Sequence, residues 1–97
     1  MDPESFRRST AAYAPPEGLT RALQALWWDA RGDWEKAHAC AQERDDAAGM
    51  RVHAYLHRKE GDLPNAGYWY RRAGAAAFAG TLDEEWEDLT ATLLAKG

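Results

Sequence analysis

His53 and His57 lie four residues apart, a spacing that puts both imidazoles on one face of a helix, as a metal clip requires. His38 and Cys40 are two apart, so on a helix they point in different directions and do not both join such a clip. No HExxH or CxxC accompanies them. The pair is therefore read as half-buried or interface histidines that satisfy a hydrogen bond, with a metal or small ligand at His53 and His57 as the alternative and no cofactor expected. Cys40 sits among Ala37, Ala39 and Ala41, the setting of a small packing group rather than a nucleophile. The chain has no nucleophile elbow, phosphate loop or dinucleotide fingerprint. Asp83, Glu84, Glu85, Glu87 and Asp88 suit the start of a helix through its dipole, without an ion. None of these patterns supports an enzyme.

Charge supplies the other chemistry. Sixteen acidic and twelve basic residues give a formal charge of −4, which argues against a protein living on bulk phosphate attraction. The charge is unevenly placed. Residues 1–46 hold nine acids and six bases, residues 47–80 two acids and five bases, and residues 81–97 five acids and one base. Everything up to Gly80 sums to zero, and the acidic excess belongs to the last segment. Arg51, Tyr55, Arg58 and Lys59 fall in one broad helical sector of the basic segment, with Trp69 and Arg72 further along. The run Tyr68-Trp69-Tyr70-Arg71-Arg72 has the stacking and arginine content of a single-strand RNA contact, which the net acidity ranks third.

Ninety-seven residues should expose about 5,600 Å² when folded and bury roughly 65% of the extended surface, enough for one small core. One cysteine cannot make an internal disulfide, no run is long enough to span a bilayer, and no apolar block follows Arg7 and Arg8 as in a secretory signal. A single cytoplasmic domain is expected over residues 17–97. Residues 1–16 have little periodicity and end in Pro15-Pro16; they read as a flexible arm whose docking residues would be Phe6 or Tyr13.

From residue 17 onward apolar residues recur at three- and four-residue steps and no run alternates strictly, so the domain reads as all-α. Leu19, Leu23, Leu26 and Ala30 mark a first helix started by Pro16 and stopped by Gly32. Asp33 caps a second, with Trp34, Ala37 and Ala41 inward, and Asp45 or Asp46 caps a third that buries Ala48, Val52, Tyr55 and Leu56. Asp62 begins a fourth with Pro64 in its first turn, and Thr81 with Glu84 forms a capping box for a fifth striped by Leu82, Trp86, Leu89 and Leu93. Of five tryptophans, Trp34 and Trp86 are expected in the core and Trp27 beside its stripe. Trp28 and Trp69 fall off the main faces, so a neighbouring helix or a partner covers them.

A shift of 29 residues superposes Gly32-Asp33 on Gly61-Asp62 and Ala37 on Ala66. The fuller copy has Ala54, Gly61, Asp62, Ala66, Tyr70 and Ala73; the other has Ala25, Gly32, Asp33, Ala37 and Ala41, with Arg44 where the last alanine would be. Over residues 19–74 this pattern resembles the tetratricopeptide repeat family and its helical-hairpin relatives, with a shorter period than the family's, which is about 34 residues. The resemblance implies a five-helix array of antiparallel hairpins (17–44 and 46–74) with a capping helix over 81–96. It also implies a peptide-binding groove lined by the first helix of each hairpin, here basic. The function expected is a non-enzymatic interaction module that binds an acidic peptide or partner helix through Arg51, Tyr55, Arg58, Lys59, Trp69 and Arg72. The alternative is self-association, as a homodimer or in cis, with the acidic last helix packed on the basic hairpin.

Overall fold

The computed structural model describes residues 1–96. Its regular structure is entirely helical: α1 (Pro3–Ser9), α2 (Arg21–Ala30), α3 (Trp34–Gln42), α4 (Ala47–Lys59), α5 (Leu63–Ala73) and α6 (Leu82–Lys96). No strand occurs among the described residues.

Short polar side chains start the helices by accepting backbone N–H groups that have no partner inside the helix. Thr20 accepts from Leu23, Asp33 from Lys36, Asp46 from Gly49 and Asp62 from Asn65. Thr81 and Glu84 close the expected capping box, with bonds of 2.8 and 3.0 Å. Between the two candidate caps of α4 the structure uses Asp46. Pro16 does not start α2, which begins behind Thr20 and leaves Leu19 ahead of the helix, though still against the core.

The 29-residue register survives in three dimensions. Gly32 (φ 82°) and Gly61 (φ 88°) take the left-handed conformation that ends a helix. In each turn the aspartate that follows donates its N–H to a carbonyl five residues back, Asp33 to Trp28 at 3.0 Å and Asp62 to His57 at 2.9 Å. α2 packs on α3 and α4 on α5; α3 also meets α4, and α6 lies across α2 and α4.

The N-terminal segment adds a sixth helix that the sequence reading did not include. Phe6 of α1 is fully buried and stacks obliquely on Trp86 at 5.8 Å, whereas Tyr13 is 94% exposed. Ser9 and Thr10 extend the dock: the Trp27 Nε1–H donates to Ser9 Oγ at 3.2 Å and Arg31 donates to the Thr10 carbonyl.

The main core cluster contains Leu23, Leu26, Trp27, Val52, Leu56 and Leu89, and a smaller one joins Ala54, Ala66 and Tyr70. The accessible surface of 5617 Å² is what a single core of this size should leave. Trp27 is fully buried although it stood beside its stripe, while Trp34 is only half-buried. No helix among the described residues is long and apolar enough to cross a membrane.

Gly49 sets how closely α4 approaches the end of α3. A Cβ there would lie 2.9 Å from the carbonyl oxygens of both Ala41 and Arg44, which are backbone atoms with little room to move. Gly49→Ala should lower stability by about 1–2 kcal/mol, seen as a lower denaturant midpoint with the helical circular dichroism retained at zero denaturant.

Candidate metal centre

Three consecutive helices each present a pair of side chains four residues apart: Trp34 and His38 on α3, His53 and His57 on α4, Asn65 and Trp69 on α5. Residues at that spacing stack on one helix face, and the packing of α3 and α5 against α4 turns the three faces together. The result is a ladder of imidazole and indole rings. Trp34 stacks on His38 at 4.8 Å, and Trp69 on His53 at 4.0 Å. His38 meets His53 edge-on at 4.5 Å, and His53 lies 4.7 Å from His57.

One ring nitrogen from each of His38, His53 and His57 lies within 4.8 Å of the other two. A zinc ion with Zn–N bonds of about 2.0–2.1 Å needs nitrogens about 3.4 Å apart, so the trio has to draw together to hold one. His53 and His57 are buried and His38 is half-exposed, which leaves access from the α3 side.

The sequence reading weighed His38 only with Cys40 and held that the two do not both join a clip with His53 and His57. The structure brings His38 in and leaves Cys40 out. Cys40 lies on the core face of α3, buried, and that burial raises its thiol pKa.

His57 Nδ1 sits 2.5 Å from Glu60 Oε1. An ionised carboxylate only accepts, so Nδ1 donates to it, and in the neutral ring the lone pair is then on Nε2. Asn65 Nδ2 lies 3.4 Å from Nε2, a long contact that gives way when Nε2 binds an ion. A carboxylate behind a histidine is the arrangement that orients and strengthens imidazole ligands of metals. Glu60 and Asn65 were not singled out from the sequence, and Trp34 was read only as a core residue; the signal was the repeated four-residue spacing on successive helices.

Burial, and then the neighbouring His38 and His57, push the His53 pKa down to about 4. Burial and then His57 lower that of His38, against an opposing pull from Glu60. A histidine depressed in the fold takes up its proton more readily when unfolded, so its contribution to stability is complete above pH about 6.5 and is lost as pH falls towards about 4. Stability should therefore fall across that window, by at most about 1.4 kcal/mol per pH unit for each proton. In urea titrations His53→Phe should flatten the slope; an unchanged slope would show that other groups carry it.

The residues expected to form one basic groove separate into three places. Arg51 and Arg58 reach α6, pairing with Asp88 at 3.6 Å and Glu85 at 2.8 Å. Tyr55 and Lys59 converge on Asp29 of α2, at 2.6 and 2.8 Å. Trp69 and Arg72 border the histidines: the Arg72 guanidinium lies over the Trp69 ring at 5.3 Å and pairs with Asp45 at 3.4 Å. Each of these cations has an acid of the same chain beside it.

The chain matches no protein-family model, no curated protein and no solved structure.

Proposed function

We propose that this helical protein binds one transition-metal ion through His38, His53 and His57. The observation that carries this is the convergence of three imidazole nitrogens from two helices within 4.8 Å, one of them backed by Glu60. Imidazole sets favour zinc, copper, nickel or iron(II) over the oxygen-seeking magnesium and calcium. The two tryptophans stacked on His38 and His53 hold those rings and place a fluorophore beside the ion.

The test is a zinc titration of chelator-treated protein, followed by calorimetry and by thermal unfolding. One ion should bind per chain, and unfolding should shift upward with zinc, by about 2.7 kcal/mol when the free ion stands at 100 times Kd. Glu60→Gln keeps the three ligands and loses the carboxylate, so affinity should fall about 10- to 100-fold. His53→Ala should abolish binding; a folded His53→Ala protein that binds zinc as tightly as the parent overturns the proposal.

A second function, capture of an acidic partner helix on α4 and its neighbours, is favoured by one observation. An acidic helix already lies there in cis, with Glu85 and Asp88 of α6 against Arg58 and Arg51. Binding a foreign helix at this face means displacing α6, and self-association means exchanging it between copies. A solution mass that stays monomeric at every concentration counts against exchange.

A further inference from the structure

The cations of the expected basic face each have an acid beside them, whereas two unmatched cations share a groove elsewhere. Arg44, in the turn between α3 and α4, and Lys96, at the end of α6, make no ion pair among the described residues. Both are exposed, and both line one groove of about 350 Å³ where the first turns of α2 and α4 meet the end of α6. Its floor is apolar: Ala22 and Leu93 belong to the main core cluster, and Ala48 packs against it. Two further charged residues line the groove. Arg21 donates to Glu43 at 2.8 Å, and Asp46 accepts from the Gly49 N–H at 2.7 Å in capping α4. With Arg21 balanced by Glu43, Arg44 and Lys96 stand against Asp46, an excess of one positive charge.

The volume lies at the small end of the range for ligand sites. An apolar floor with one uncompensated positive charge above it complements a small molecule that carries a single carboxylate on an apolar body. A dianion such as a phosphate ester is a poorer match, because Asp46 repels the second charge. Attraction by Arg44 and Lys96 acts over several ångströms without contact, and at exposed cations the carboxylate keeps most of its water, so little desolvation opposes binding. We propose that this groove binds a free medium-chain carboxylate, its chain on Ala22, Ala48 and Leu93 and its charge towards Arg44 and Lys96. None of the three histidines lines the groove, so this site stands or falls apart from the metal centre.

Octanoate, octan-1-ol and acetate, titrated into the chelator-treated full chain and followed through backbone amide NMR shifts, separate body from charge. Octanoate should shift the amides of Ala22, Ala48 and Leu93 saturably. It should bind more tightly than octan-1-ol, which has the body without the charge, and than acetate, which has the charge without the body. Arg44→Glu, at an exposed turn position, should weaken octanoate about tenfold and leave octan-1-ol unchanged. Lys96→Glu should weaken octanoate in the same sense, so a folding defect in one variant does not decide the outcome. Equal affinities for octanoate and octan-1-ol, or an octanoate affinity that neither variant moves, overturn the carboxylate assignment. Acetate binding as tight as octanoate overturns the role of the apolar floor. Octanoate shifts that spare these three amides overturn the site.

Discussion

Arg58→Met should destabilise the protein by about 3 kcal/mol, a loss of roughly 12–20 °C in Tm for a domain of this size. The reason is Glu85, a carboxylate in the first turns of α6 with no exposed surface. Two groups hold it: Arg58 at 2.8 Å and the Tyr70 hydroxyl, which donates to its other oxygen. Arg58 also donates to the Gly80 carbonyl, so one guanidinium fastens both the carboxylate and the loop that leads into α6. Removing it leaves a charge in the interior with only a phenol beside it, and an uncompensated buried charge costs far more than the intact pair contributes. Burial and the Glu85 bond together raise the Tyr70 pKa, so the phenol stays protonated and remains a donor across the physiological range. The double variant Arg58→Met/Glu85→Met should recover most of the loss, because paired replacement by apolar groups removes the unmatched charge. Chemical denaturation of the two variants side by side is the check. An Arg58→Met protein as stable as the parent would mean that α6 is not clamped through Glu85.

Phe6→Ala should cost about 3 kcal/mol, at the lower end for a buried aromatic because a terminal helix can relax around the space. Phe6 is completely buried and packs on Trp86, whose Nε1–H donates to the Leu26 carbonyl at 2.9 Å. Around it Arg7 lies over the Trp86 ring at 4.7 Å and pairs with Glu87, but both partners of that pair are largely exposed and contribute little. The apolar contact therefore holds α1. Loss of Phe6 should expose Trp86 and part of Trp27, giving a red shift in tryptophan emission together with the drop in denaturant midpoint. An unaltered midpoint and emission would mean that α1 is dispensable.

These residues also mark how far the sequence could be read. The caps at Asp33, Asp62 and Thr81 were legible because a side-chain oxygen ahead of a helix answers to local chemistry alone. The paired glycine turns were legible for the same reason. Phe6 was visible as a docking residue, yet the helix that carries it was not: seven residues give too short a window for periodicity to register. The acidic excess of the last segment could be assigned to α6 from counting, but which acid is buried could not. Glu85 is one of several neighbouring carboxylates, and only the packing of α4, α5 and α6 singles it out. The basic groove was expected from one helix face considered alone; in the fold α2 and α6 both lean on that face and bring Asp29, Glu85 and Asp88 with them. The histidine centre was half legible. His53 and His57 announced themselves by spacing, whereas His38 belongs with them only because α3 packs on α4, which no spacing within one helix can reveal.

The central claim is that three histidines of one chain share an ion, and zinc-edge X-ray absorption of the zinc-loaded protein tests it most directly. Three imidazole nitrogens at about 2.0–2.1 Å, reduced to two in a folded His38→Ala variant, are the expected result. A shell with one imidazole or none, or one that His38→Ala leaves unchanged, would contradict it.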